Sequence, residues 1–254
     1  SGSRNAPSSS TGESSTSASA SRIFEVLDER PTVTDRPGAI DLVSPRGAVE
    51  FDGVTFGYAG GEPVLRDLSL RIEPGETIAI VGRTGSGKST IARLLTRFYD
   101  VQQGAVRLDG HDVRDLTLAS VRHHVGVVLD DPFLFSASVH DNIAFARPDA
   151  DRASVERAAR AAQADGFVRE LERGYDLSGG QRQRISIART LLADPAVLVL
   201  DDATSAIDVQ VEQQIHAALH DVLGTRTTVL IAHRLSTIAL ADRVVLLDER
   251  SEER

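Results

Sequence analysis

At 254 residues the chain has room for one large α/β domain or two small ones, and a hydrophobic fraction of 41% is enough to fill a buried core. The absence of cysteine excludes a disulfide framework and a thiolate metal site, a composition suited to the cytosol. A net charge of −9 argues against holding nucleic acid by broad phosphate neutralisation, and no apolar run reaches the ~20 residues that span a bilayer.

Taken in chain order, residues 1–21 are dominated by serine and threonine and read as a flexible linker or tail that cannot bury enough surface to fold. Residues 22–47 form a lead-in. Ile23, Phe24 and Leu27 within RIFEVLDE stand at helical spacing, and Pro31, Pro37 and Pro45 then enforce an extended path. From residue 48 to 254 a single folded domain is expected. Val49, Phe51 and Val54, then Leu65, Leu68, Leu70 and Ile72, alternate as short antiparallel strands would, around the turn Ala59-Gly60-Gly61.

Residues 81–90, VGRTGSGKST, fit the pattern G-x-x-x-x-G-K-[ST]. The apolar run at 77–81 before it reads as a strand, and Ile91, Leu94, Leu95 and Phe98 after it recur at helical spacing. A strand, a glycine-rich turn and a helix N-terminus in that order make a phosphate-binding P-loop. Gly82, Gly85 and Gly87 let the backbone wrap an anion, with Thr84, Ser86 and Thr90 among them. The amides at the helix start face the anion, Lys88 reaches the terminal phosphates and Ser89 ligates Mg²⁺.

Residues 126–129 are a further strand candidate, and residues 152–173 carry the alanine-and-charge pattern of a helix pair. At 197–201, VLVLD is a continuous apolar run of the kind buried on both faces of a parallel sheet. It ends in Asp201, placed to hold Mg²⁺ opposite Ser89, with Asp130 as a further candidate ligand. Just upstream, Leu177-Ser178-Gly179-Gly180-Gln181 opens a helix-like run at 182–192, where a hydroxyl and free amides can meet an anion. One chain has no need of a second phosphate grip so far from the first, so this one is expected to serve another subunit's nucleotide.

These ordered motifs resemble the nucleotide-binding domain of an ATP-binding cassette (ABC) exporter, over roughly residues 22–248. The resemblance implies a P-loop NTPase α/β fold with a RecA-like core, an antiparallel β subdomain and an inserted helical subdomain at about 132–178. It matches Tyr58 to the position on which adenine stacks, residues 82–89 to the Walker A loop, and Ser178, Gly179, Gly180 and Gln181 to the signature. It also matches Asp201 to the Walker B aspartate, Ser205-Ala206-Ile207-Asp208 to the D-loop and His233 to the switch histidine. It implies ATP and Mg²⁺ as cofactors and a head-to-tail dimer with a second nucleotide-binding domain. A membrane domain would be contacted through residues 130–135, with Phe133 and Phe135 near the contact, at the cytoplasmic face of the membrane. No nucleic acid partner is expected.

The sequence departs from the family where hydrolysis depends on it. The base that polarises the attacking water is normally glutamate and here is Asp202. Reference pKa values of the two acids differ by only ~0.4 units, so reach and not basicity is at stake. Aspartate is one methylene shorter, roughly 1.3 Å, against a contact that must close to about 3 Å. Asp130 stands where the family has glutamine and, ionised, accepts without donating. About ten residues usual in the family between Asp176 and Leu177, and a glycine turn and strand after Glu249, do not occur in the chain as given. The sequence therefore reads as the degenerate-site half of a heterodimeric exporter, with catalytic candidates Asp202, His233 and Asp130. A non-hydrolytic ATP-dependent binding module, or a soluble ABC protein of DNA repair or translation, is the alternative.

Overall fold

Alternating side chains along the central strands decide the architecture. In a computed structural model the described residues are 31–248, apart from 60, 171–176, 204–206, 209, 212–213 and 216–225. The chain divides into a unit at residues 1–34 and a body at 35–254, to which every element below belongs. The RIFEVLDE segment and residues 205–206 lie outside the described residues.

Strands β1 (Val49–Phe56), β2 (Leu65–Ile72), β4 (Gln103–Leu108) and β5 (His111–Asp112) form an antiparallel sheet in the order β2-β1-β4-β5. Strands β3 (Thr77–Gly82), β6 (Val125–Val128), β7 (Val197–Asp201), β8 (Thr227–Ile231) and β9 (Arg243–Leu247) form a parallel sheet in the order β6-β7-β8-β3-β9. Every residue of β7 and β8 is buried, as a strand covered on both faces requires. Successive side chains point to opposite faces. Val197, Val199, Val229, Ile231, Ile78 and Ile80 thus join β1, β2, β4 and the P-loop helix in one core, while Leu198, Leu200, Leu230 and Ala79 enter a second core shared with the helices.

The helices are α1 (Lys88–Leu95), α2 (Leu118–His124), α3 (Val139–Ala144), α4 (Arg152–Ala161), α5 (Asp165–Glu170), α6 (Gly179–Ala193) and α7 (Leu235–Ile238). Polar caps start several of them: the side chains of Thr117, Ser138 and Asp151 accept from the amides of Ser120, Asp141 and Ser154. α3, α4 and α5 form the inserted helical layer, with Ile143, Val155, Ala158 and Ala159 packed with Ile185 and Ile187 of α6. The fold is the P-loop α/β fold that the motifs implied.

Two local differences from the sequence reading have physical causes. Phe98 does not extend α1. The helix stops at Thr96, whose hydroxyl turns back to the Ala92 carbonyl at 2.8 Å; Arg97 takes a left-handed φ of 52° and Phe98 is exposed. The strand at 126–129 is instead Val125–Val128, with Leu129 exposed. In β1 the alternation breaks between Phe51 and Val54, where the register with β2 shifts, a bulge built on Gly53 at φ 57°.

Gly104, at φ 75°, lies against that bulge: an added Cβ would fall 2.3 Å from the carbonyl oxygens of both Asp52 and Gly53. A left-handed alanine combined with a backbone clash should destabilise the fold by about 3 kcal/mol. Gly104→Ala is therefore expected to lower the urea midpoint strongly, and an unchanged midpoint would contradict this packing.

Candidate nucleotide site

β3 runs into the turn at residues 82–87 and straight out into α1, so the loop's shape is set by the helix it opens. Gly85 and Gly87 take φ 88° and 93°, a region that L side chains avoid. A Cβ on Gly87 would lie 2.7 Å from Leu65 Cδ2, so bare backbone is required there. Lys88 is buried and its Nζ donates to the carbonyls of Gly82 and Arg83, both at 2.8 Å. An ammonium has three donors, so the two bonds to the loop leave a third for an anion. The Ser86 hydroxyl is buried without a hydrogen-bond partner.

Across the loop, β7 delivers Asp201 from a buried strand. Burial pushes its carboxyl above the usual carboxylate range; a hydrogen bond from Ser89 opposes this, and the charges of Asp202 and Asp130 add to it. Asp202 follows with φ 48°, its amide bonded to the Ile231 carbonyl at 2.9 Å. His233, exposed, stands just after β8. Gln183 of α6, fully buried, lies 3.4 Å from the backbone carbonyls of both Asp130 and Asp202.

One cavity of about 490 Å³ gathers most of the sequence candidates: Tyr58, Thr84, Gly85, Gly87, Lys88, Ser89, Thr90, Asp130, Asp201, Asp202 and His233. Gly82 supports it through Lys88, and Ser86 lines a neighbouring groove. Ser178, Gly179, Gly180 and Gln181 do not line it. They open α6 elsewhere in a reciprocal cap: Ser178 Oγ accepts from the Gln181 amide at 3.2 Å, and Gln181 Oε1 accepts from the Ser178 amide at 2.9 Å. The hydroxyl keeps its proton to donate. Ile207 of the D-loop is buried, and Asp208 accepts from the Gln210 amide.

The residues present fit a nucleoside triphosphate with Mg²⁺. The loop offers glycine-lined amides, an ammonium and a helix start for phosphates, and Ser89 with Asp201 offers the hard oxygens that magnesium takes.

Several features escaped the sequence reading. Arg93 lines the cavity with Tyr58, and Tyr99 stands edge-on to Tyr58 at a centroid distance of 5.3 Å. Phe145, stacked on Phe135 at 4.3 Å, extends the exposed pair Phe133 and Phe135. Arg189 lies against Phe135 and Phe145 and donates to the carbonyls of Phe133 and Asn142. Arg184 of α6 donates to the Gln163 carbonyl in the turn between α4 and α5 at 2.8 Å.

Comparison with known proteins agrees with this geometry. The ABC transporter family profile matches residues 65–205. The chain is 49% identical over 234 residues to the beta-(1→2)glucan export ATP-binding/permease protein NdvA of Rhodopseudomonas palustris, covering 89% of this chain and 39% of that protein. It is 48% identical over 240 residues to a multidrug efflux ATP-binding/permease protein of Mycobacterium bovis, covering 91% of this chain and 20% of that one. The solved structure of a bacterial Atm1-family ABC exporter with ATP bound superposes with a TM-score of 0.84 at 43% identity, over 91% of this chain and 42% of the exporter chain. The chain thus spans well under half the length of these relatives, and no helix among its described residues is long and apolar enough to cross a membrane. With the profile match lying over the P-loop, the signature and the Walker B strand, the chain belongs to the ABC transporter family and carries that family's ATP-binding fold.

Proposed function

We propose that residues 48–254, with a helical subdomain at about 132–178, form the ATP-binding domain of an exporter. The domain closes on ATP as a head-to-tail dimer at the cytoplasmic face of the membrane, and residues 22–47 lead in from the membrane domain. The observation that carries this reading is the separation of the two phosphate-gripping elements: the cavity that gathers Lys88, Ser89 and Asp201 excludes the start of α6. A capped helix N-terminus with a serine proton to donate is then available to a second chain's triphosphate.

In the chemistry, the loop amides and Lys88 hold the phosphates, and Ser89 and Asp201 hold Mg²⁺, which offsets phosphate charge when bound. His233 and the carboxylate of Asp202 stand beside the water position. Asp202 falls short of the reach of a glutamate, and Asp130 cannot donate to that water once ionised. Hydrolysis at this chain's own Walker side is accordingly slow, and a paralogue with a glutamate in that position would supply the fast site. The exposed rings of Phe133, Phe135 and Phe145, braced by Arg189, form the surface for the membrane domain. A purely non-hydrolytic module in which ATP only joins two chains is the second reading, favoured by the same short Asp202.

The test is oligomeric state. Mg-ATP, and not Mg-ADP, should convert this chain to a dimer by light scattering, alone or mixed with a paralogue, and Ser178→Arg should prevent it by filling the signature. A strict monomer under all these conditions, with ATP binding verified, would remove the role assigned to the signature.

A further inference from the structure

On α1, Thr90 and Arg93 are three residues apart and so share a helix face. Both reach the tip of one ring: Arg93 Nη1 donates to Tyr58 Oη at 3.0 Å, and Thr90 Oγ1 lies 3.1 Å from the same oxygen. The Arg93 guanidinium carbon is 5.8 Å from the Tyr58 ring centroid. A phenol has one O–H and two lone pairs, so it can accept from Arg93 and still share a hydrogen bond with the Thr90 hydroxyl, in which either oxygen can donate. Around the ring, Phe56 and Tyr99 stand edge-on at centroid distances of 5.1 and 5.3 Å.

This arrangement is more than packing requires. A core aromatic is held by its ring alone, whereas Tyr58 is also held at its oxygen by two side chains of the phosphate-binding helix. Arg93 is exposed and lines a cavity that contains Asp130, Asp201 and Asp202, yet it donates to the Tyr58 hydroxyl.

We propose that Arg93 is a positioning residue for the base end of the site: it fixes the Tyr58 ring in place and ties that platform to the helix whose start holds the phosphates. The proposal rests on the nucleotide reading above. Ordering the ring before the ligand arrives removes part of the cost of ordering it on binding. Arg93 therefore acts through Tyr58 on ligands that carry a base, and not on the phosphates themselves.

Calorimetric titration of the 254-residue chain with Mg-ATP and, separately, with Mg-tripolyphosphate tests this, the second probe having the phosphates and no base. Arg93→Ala and Tyr58→Phe should each weaken Mg-ATP by about three- to tenfold, the usual size of one hydrogen bond, and leave tripolyphosphate unchanged. The double variant should bind Mg-ATP no more weakly than the poorer single one, because both changes break the same bond. Arg93→Lys, which restores one donor, should recover part of the loss. Near-ultraviolet circular dichroism, which reports tyrosine without tryptophan overlap because the chain has no tryptophan, should change in Arg93→Ala before ligand is added.

Losses that multiply in the double variant, or an Arg93→Ala loss as large for tripolyphosphate as for ATP, would overturn the proposal, as would unchanged ATP affinity. Lys88→Ala serves as the reference for the nucleotide reading, since it should weaken both probes. A parent chain that binds neither probe would overturn that reading and the proposal with it.

Discussion

Lys88→Ala should weaken Mg-ATP by about a hundredfold. Lys88 is buried with its ammonium between the carbonyls of Gly82 and Arg83, so alanine removes both the cation that meets the phosphates and two bonds that shape the loop. A charge-assisted hydrogen bond is worth up to about 3 kcal/mol, which is roughly a hundredfold in affinity. Lys88→Arg should rescue little, because a planar fork does not fit the space that a compact ammonium fills between two carbonyls. Isothermal calorimetry with circular dichroism as the folding control decides it. Unchanged affinity in Lys88→Ala would count against the cavity as the nucleotide site.

The second large effect is a gain. Asp202→Glu should raise ATP turnover on the order of tenfold, equivalent to ~1.4 kcal/mol of transition-state stabilisation, while ATP affinity stays nearly constant because the side chain meets water and not phosphate. Asp130→Gln with Asp202→Glu should exceed either single change, since an amide donates where an ionised carboxylate cannot. Gln183 lies 3.4 Å from the backbone carbonyls of both residues, so the two positions are expected to couple and not simply add. Steady-state phosphate release from chains shown to bind ATP and to dimerise is the measurement. If neither the single nor the double variant outpaces the parent, the asymmetric-site reading fails.

Most of the fold, and the phosphate-binding half of the site, can be read from local pattern alone. The run at 77–81, the glycines after it and the apolar spacing from Ile91 to Leu95 carry strand, loop and helix in sequence order, and the buried strand ending at Asp201 shows as an unbroken apolar run. What escapes depends on partners far along the chain. Phe98 leaves the helix where Arg97 turns left-handed and, buried, donates to the Leu116 carbonyl at 3.0 Å. The bulge at Gly53 is matched by Gly104 about fifty residues on. Arg93 becomes a candidate only when Tyr58 is folded beside it, and Phe145 only when it stacks on Phe135 in the open. No local pattern encodes such pairs.

The segment ahead of β1 is fastened in a way that has mechanical meaning. Asp109, at the turn between β4 and β5, accepts from the amides of Arg46, Gly47 and Ala48 at 2.5, 3.2 and 2.7 Å. Upstream of that clamp, Asp35 accepts from the Leu118 amide, Ile40 bridges to Leu116, and the Leu42 amide donates to Ser120. A tensile load entering the body through residues 35–48 is therefore spread over the start of α2 and the hairpin carrying Asp109. Gly47 packs so closely that an added Cβ would fall 2.7 Å from the Ala196 carbonyl oxygen and 2.9 Å from Thr227 Oγ1, so the same segment also bears on the start of the parallel strands β7 and β8.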